Sequence, residues 1–248
     1  MNMDRLSASV EEACLNAWPA LKEIFYDGWL IRLAEGHTRR TNSVNVIGPG
    51  RYDLAEKIEH CEAIYTAHGL PTYFRIRSND GSALEDALIE RGFRAEDETR
   101  TLYLDFADTP PVSSDGIEIA EQPSAEWLAA HERFSGRPAA NDLGKRLLDL
   151  VALPVAFAAA RNGEGQIVSV AYGAVHDRLV SLQWVATDPA LRRKGFSRAT
   201  LSSLLCWAKA KGATGACLQV VAANTPAVNL YEAMGFNQEL YRYHYRVL

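Results

Sequence analysis

The chain has 248 residues, 48% of them apolar and 23% charged, with 17 glycines, 10 prolines and 4 cysteines. That balance excludes collagen-like, disordered and disulfide-scaffold chains, and the length is enough for one large domain or two modest ones. A formal net charge of −5 argues against a general nucleic-acid binder, because releasing counterions from a phosphate backbone takes a strongly basic surface.

The opening stretch, MNMDRLSASVEEACLNAW, has acidic and polar residues where a secretory signal needs an apolar core, and no run of about 18 apolar residues follows it. Cys14, Cys61, Cys206 and Cys217 form no C-x-x-C pair, and none lies near a histidine at zinc-finger spacing. These features predict a cytoplasmic chain with reduced, mostly buried thiols, no metal, and neither a membrane nor a nucleic acid as partner. Cys206 and Cys217 are expected in the core.

In chain order, the pattern predicts a helix near residues 10–17, stopped by Pro19. Two strand runs, GWLIRLA and TNSVNVI, follow as a hairpin through Glu35, Gly36 and His37. After the breaker Gly48-Pro49-Gly50, Leu54, Ile58, Cys61 and Tyr65 recur at helical spacing until Gly69, and the run TYFRIR reads as a strand. A second helix over 83–91 stops at Gly92 and Phe93, and the strand TRTLYLDF closes the unit.

Residues 107–116, ADTPPVSSDG, have the composition of an exposed connector. The predicted division is therefore residues 1–108, a linker over 109–116, and residues 117–248. In the second part, helical stretches over 125–133 and 143–151 precede the strands PVAFAAA, IVSVAYGAV and RLVSLQWVAT. Leu201, Leu204, Leu205 and Ala208 form one stripe of an amphipathic helix over 197–211 that ends at Gly212. The strand ACLQVV and a short helix over 224–234 lead to a last strand, in which Tyr241, Tyr243, Tyr245 and Val247 alternate with Arg242, His244 and Arg246.

An internal repeat is visible in the two tails. Gly69 to Gly92 and Gly212 to Gly235 both span 23 positions, and each residue of the first stretch lies 143 positions before its counterpart. AHG stands opposite AKG, and ALIERGF opposite NLYEAMGF. Equal spacing and similar stop sequences point to a duplicated fold.

The densest chemical signal is VATDPALRRKGFSRA, where a strand runs through a loop into a helix. Arg192, Arg193, Lys194 and Arg198 place four cations in seven residues of an acidic chain. The first N–H groups of a helix have no intrahelical partners and its dipole favours an anion there, so the segment reads as a phosphate seat. Gly195 permits close backbone approach, and Arg192 and Lys194 can add charge-assisted bonds to a diphosphate. A solvated basic helix start is the plain alternative for this segment alone.

This segment resembles the acetyl-CoA signature of the GNAT N-acetyltransferases, R/Q-x-x-G-x-G/A after a strand and a V-x-P turn. Arg192 stands at the leading position and Gly195 at the first glycine, with Ser197 in place of the usual Gly or Ala and Thr187, before Asp188 and Pro189, in place of the usual valine. NTPAVNLYEAMGF resembles a second family element. The resemblance covers about residues 117–248. It implies a mixed α/β protein of two GNAT-like units, each a mixed β-sheet flanked by helices. It also implies acetyl-CoA held by Val185, Ala186, Thr187, Arg192, Arg193, Lys194, Gly195, Phe196, Ser197, Arg198, Asn224 and Tyr231. Asn224 would bond the pantetheine arm and Tyr231 would be the catalytic donor to the leaving thiolate. On the residues alone, Asn224 also reads as a helix N-cap and Tyr231 as a core aromatic.

A thioester is already activated, so a deprotonated amine held near its carbonyl attacks directly and needs no enzyme nucleophile. In the family the carbonyl oxygen receives a backbone N–H from the strand before the loop, here around residues 184–186. A phenol is a weaker acid than a thiol by about 1.5 units, so a hydrogen bond that strengthens as sulfur leaves fits better than free proton transfer. The general base is unassigned: SLQWV offers only Gln183 and Trp184, and Glu232, His176 and Asp188 stand equal as candidates.

The first repeat has none of this equipment. Leu88 stands opposite Tyr231, Gly81 opposite Asn224, and Pro49 and Tyr52 opposite Arg192 and Gly195, so it is expected not to bind coenzyme A. The polar segment HTRRTNSVN, with Arg39, Arg40, Asn42 and Asn45, reads either as a wall of an acceptor pocket or as a hairpin with one exposed face. The expected activity is transfer of an acetyl group to a primary amine of a small molecule or peptide. A non-catalytic acyl-CoA sensor and a general phosphate-recognising module are the rival readings.

Overall fold

The computed structural model describes residues 3–136 and 142–248. In chain order its elements are α1 (Met3–Ala17), β1 (Lys22–Tyr26), β2 (Trp29–Leu33), β3 (Val44–Val46), α2 (Leu54–Ala67), β4 (Phe74–Arg77), α3 (Ala83–Glu90) and β5 (Arg94–Asp105). There follow β6 (Ile117–Ala120), α4 (Ala125–Ser135), α5 (Leu143–Leu148), β7 (Val155–Arg161), β8 (Ile167–His176) and β9 (Leu179–Thr187). The chain ends with α6 (Phe196–Ala210), β10 (Gly215–Val221), α7 (Thr225–Ala233) and β11 (Gln238–Val247). Among the described residues no helix is long and apolar enough to cross a membrane. Cys14, Cys61 and Cys217 are buried and Cys206 is half-buried, and the Sγ atoms of Cys14 and Cys217 lie 3.9 Å apart, within hydrogen-bonding distance for sulfur.

The duplicated tail is present in three dimensions. Shifting α2 by 143 positions brings it onto α6, α3 onto α7 and β5 onto β11, each within a residue or two at either end. The four glycine stops share one hydrogen-bond pattern. Leu70 N–H reaches back to Tyr65 O, Phe93 to Leu88 O, Ala213 to Ala208 O and Phe236 to Tyr231 O, all at 3.0 Å. Gly69, Gly92, Gly212 and Gly235 have φ between +65° and +100°, the left-handed cap that such a reach-back requires.

The chain folds as two compact units, and they do not follow the linear division at 109–116. The C unit comprises α1 through Trp18, then Leu102–Gln219 and Thr225–Leu240. The N unit comprises Pro19–Thr101, Val220–Asn224 and Tyr241–Leu248. Residues 107–116 are largely exposed, as a connector should be, but the units part within β5 and β11.

Within the C unit the strand order is β5-β10-β9-β8-β7-β6. Strands β6 to β9 are antiparallel neighbours, while β10 runs parallel to β9. Adjacent residues of β8 point to opposite faces. The Tyr172 hydroxyl donates to Ala17 O at the end of α1, at 2.8 Å, whereas a side chain on Gly173 would crowd Val180 and lie 3.8 Å from Leu204 of α6. Helices α1 and α6 therefore cover opposite faces.

Within the N unit the order is β1-β2-β3-β4-β11. Strands β1 and β2 form a tight hairpin through Asp27 and Gly28, at φ +42° and +82°, the positive pair that a right-handed twist favours. Strand β2 pairs antiparallel with β3, and β3 parallel with β4. Trp29, Ile31, Val44, Ile58, Tyr65, Phe74, Leu88 and Phe93 form its core.

Each unit thus ends its sheet with the other repeat's last strand: β11 pairs with β4, and β5 lies beside β10. In the C unit, Tyr103 of β5 occupies the space where a side chain on Gly215 would go. This exchange is why a cut between the repeats does not separate the units.

Two strands escape the sequence reading. KEIFY in β1 and IEIA in β6 are short and present almost no buried face, so little in the sequence marks either as a strand. The polar segment 37–45 is not a hairpin with an exposed face: Thr41, Asn42, Ser43 and Asn45 are buried. The Asn42 carboxamide oxygen accepts from the N–H groups of Ala34 and Gly36 at 2.7 and 3.0 Å, and Arg39 pairs with Glu96 and Asp97. These side chains build the loop from β2 to β3.

Candidate active site

The parallel ladder of β9 and β10 is short. It joins Leu179–Ser181 to Gly215–Cys217, after which β9 runs on to Thr187 and β10 to Val221. On the other side of β9, the register with β8 shifts between Val170, opposite Ala186, and Tyr172, opposite Gln183. Trp184 and Val185 bulge out of the ladder, and Trp184 takes φ +52°, a conformation that a bulky side chain rarely adopts. A bulge turns backbone N–H groups out of strand pairing, at the place where the sequence resemblance puts the carbonyl donor. Val185 and Ala186 are half-buried beside it.

Beyond Thr187 the chain makes a tight turn. The Asp188 carboxylate accepts from Ala190 N–H at 2.9 Å, with Pro189 opening a single 3₁₀ turn. Arg193 and Gly195 have φ of +64° and +87°, and α6 starts at Phe196 with no side-chain cap. A Cβ on Gly195 would meet no protein atom within 4 Å, so the volume in front of the helix start is open. Arg192, Arg193 and Lys194 are exposed and make no ion pair with a described residue. Uncapped N–H groups, an open approach and three unmatched cations suit a diphosphate.

The other residues of this stretch serve as supports. Thr187 and Ser197, the two departures from the family pattern, bond each other through their hydroxyls at 2.5 Å. Thr187 also meets the Ser169 hydroxyl at 2.9 Å, which ties β8, β9 and the first turn of α6 together. Phe196 is half-buried and its carbonyl accepts from the Thr200 hydroxyl. The Arg198 guanidinium donates to Ala233 O at 3.0 Å, so it closes the C-terminus of α7 rather than facing the loop opening.

Asn224 is exposed immediately before α7, and its backbone N–H bonds Val221 O at 2.9 Å. Tyr231 is buried in the C unit, its ring edge-on to Phe236 at 6.1 Å, while its carbonyl receives the helix-stop bond. Arg198 links α6 to the helix that bears Tyr231.

The sequence reading missed the surroundings of Trp184. Its indole is edge-on to Trp18 at 5.0 Å, stacked on His131 of α4 at 4.2 Å, and near Tyr172 at 6.1 Å. A side chain on Gly144 of α5 would lie 2.8 Å from the tip of the indole. Of the three equal candidates for a base, Asp188 is a turn cap, and His176 sits at the far end of the β8–β9 hairpin, 3.7 Å from Glu12. Glu232 is exposed on α7.

The corresponding loop of the N unit is filled. The Asp27 carboxylate accepts from the backbone N–H groups of Arg51 and Tyr52 at 2.8 to 3.0 Å and pairs with Lys57 at 3.2 Å. The Tyr52 and Arg51 N–H groups and the Lys57 ammonium lower its carboxyl to about 2, against the opposing effect of burial. Asp53 caps α2 through Ala55 N–H.

A family model described as "Probable histone acetyltransferase Rv0428c C-terminal" matches residues 8–246. The chain is 26% identical over 246 residues to an uncharacterized N-acetyltransferase, YobR, of Bacillus subtilis, covering 96% of this chain and 97% of that one. It resembles the solved GCN5-related N-acetyltransferase from Kribbella flavida with a TM-score of 0.67 and 17% identity, over 99% of this chain and 95% of that one. A tandem GNAT protein from the clavulanic acid pathway gives a TM-score of 0.66 and 11% identity, over 83% and 74% of the two chains.

Proposed function

The chain belongs to the family of the Rv0428c acetyltransferase C-terminal region, within the GNAT N-acetyltransferases, and from that premise we propose that it moves an acetyl group from acetyl-CoA to a primary amine by direct attack, with both substrates bound at once. The observation that supports this most is the uncapped start of α6 behind Gly195, open and flanked by three unmatched cations. Arg192, Arg193 and Lys194 with the first N–H groups of α6 hold the diphosphate. Thr187 and Ser197 keep the turn closed beneath it.

Acetyl-CoA supplies an activated acyl carbon, and the chain supplies position and charge. The bulge at Trp184 and Val185 offers backbone N–H to the carbonyl oxygen, where a fixed donor matters most as charge develops. The Tyr231 hydroxyl bonds the departing sulfur. Asn224, at the entry to α7, holds the pantetheine arm. The first repeat is a second GNAT-like unit without cofactor binding, because Asp27 takes the N–H groups an incoming anion would need.

The family description makes a lysine-bearing peptide the first acceptor to try. Titrating acetyl-CoA in a calorimeter, then following thiol release with lysine peptides, free peptide N-termini and polyamines, tests the reading in two stages. Binding heat and acceptor-dependent thiol release are expected. Absence of heat overturns cofactor binding, while heat without thiol release for any amine leaves an acyl-CoA sensor.

A further inference from the structure

Against the bulge of β9 stands the imidazole of His131. Its ring lies 4.2 Å from the Trp184 indole and within 17° of parallel, and it is partly exposed. Trp127, one helical turn earlier in α4, is 6.0 Å from it at 8°, and its Nε1–H is fixed to Ala158 O at 2.9 Å. Trp184 is held in turn by Trp18 and by the missing side chain of Gly144. The imidazole is therefore anchored one ring stack away from the strained residue whose backbone forms the bulge.

We propose that His131 is the general base of the acetyl transfer, and that the acceptor amine enters over the Trp184–His131 stack. This rests on the activity proposed above. The amine arrives as an ammonium and gives one proton to the imidazole. Its freed lone pair forms the C–N bond as the C–S bond breaks, with the bonding pair leaving on sulfur. The surplus proton on nitrogen then neutralises the thiolate, so an amide, a thiol and an imidazolium remain. Imidazole both accepts and releases a proton in the range where enzymes work, which is what a general base must do at every turnover.

The elements packed around the stack bring a mixed set of charged groups. On α4, Glu126 is paired with Arg161, the Arg133 guanidinium lies over Phe134, and Glu132 is exposed. Asp142 opens α5, where Lys145 is paired with Asp149 and Arg146 is next in line. Strand β9 presents the neutral Gln183, β8 presents Tyr172 bonded to Ala17 O, and α1 bears Glu11 and Glu12, the latter 3.7 Å from His176. Among these groups it is His131 whose imidazole lies flat on the Trp184 indole.

The test is His131→Gln, with His131→Gly as the rescue variant, assayed for thiol release with acetyl-CoA and the best amine of the panel. The glutamine variant is expected to lose about a hundredfold or more in kcat, together with the acid limb of the kcat/KM profile. Acetyl-CoA affinity by calorimetry should stay within threefold. Added imidazole should restore part of the glycine variant's turnover in proportion to its neutral form as pH is varied, a dependence that a packing role for His131 would not produce. An unchanged acid limb in the glutamine variant, or no rescue by imidazole, overturns the role of His131 while the acetyltransferase reading stands. If the unaltered protein releases no thiol with any amine, both fall.

Discussion

The loop before α6 leaves the first N–H groups of its helix without a side-chain cap, whereas the loop before α2, 143 positions earlier, has committed its own. Arg51 and Tyr52, the counterparts of Lys194 and Gly195, donate to Asp27, and Asp53, the counterpart of Phe196, caps the helix. Both repeats therefore present a backbone turn with N–H groups ahead of the helix. In one it faces outward beside three unmatched cations; in the other a carboxylate from the β1–β2 turn already fills it. The difference lies in what the turn bonds: an internal carboxylate ahead of α2 and no side chain ahead of α6.

Closing the open loop should abolish the difference between the two repeats. Gly195→Leu combines a side chain in the approach volume with a φ of +87° that only glycine holds easily, so acetyl-CoA affinity by calorimetry should fall at least a hundredfold. Affinity within threefold of the unaltered chain would remove the phosphate seat. Tyr231→Phe makes the C unit more like the N unit, which has Leu88 at that place. Turnover should drop about ten- to a thousandfold with affinity intact, the range of one lost acid or transition-state hydrogen bond. Unchanged kcat takes Tyr231 out of the chemistry.

On the filled side, Asp27→Asn should change how stability depends on acid. The folded carboxyl titrates at about 2, below the ordinary value of about 4, so its contribution is complete above pH 4 and disappears as pH falls toward 2. Melting temperatures followed from pH 6 to pH 2 should fall less steeply in the variant. For Asp27→Ala, inorganic phosphate should raise the melting temperature, since an anion can occupy the vacated N–H groups; no phosphate effect would mean that this backbone no longer suits an anion. The smallest effect is expected at the support beneath the open loop. Thr187→Val and Ser197→Ala each remove one partner of their shared hydroxyl bond, and since the double-mutant cycle cancels the separate loss of the Thr187–Ser169 contact, it should show coupling of about 1 kcal/mol in chemical denaturation. Strict additivity would show that the two hydroxyls act independently.

The legible parts of this fold are those written in local pattern. Leu201, Leu204, Leu205 and Ala208 announce α6, and Gly212 stops it, because period and cap lie within one stretch of chain. The same holds for the repeat, whose four glycine stops return with identical bonds. Strands β1 and β6 are hidden because they are short edge strands with almost no buried face. The Asp27-Gly28 dipeptide is a local turn signal, but its grip on Arg51 and Tyr52 spans a sequence distance of 24 or more that no pattern encodes. Thr187 and Ser197 stand out singly as departures from the family motif, and only folding reveals that each compensates the other. His131 and Trp184 meet across separate elements, so neither looks chemical in its own segment.

The traded final strands have a consequence for how such a chain can change over generations. With β11 completing the sheet of β4, and β5 lying along β10, deleting either copy would leave the survivor with a bare edge and no closing strand. Even a copy without any chemical role could then not be discarded, because the other copy's sheet would lose its closing strand. Mutual captivity of this kind is enough to preserve both halves whatever each does, and it forecasts that residues 117–248 do not fold when expressed alone.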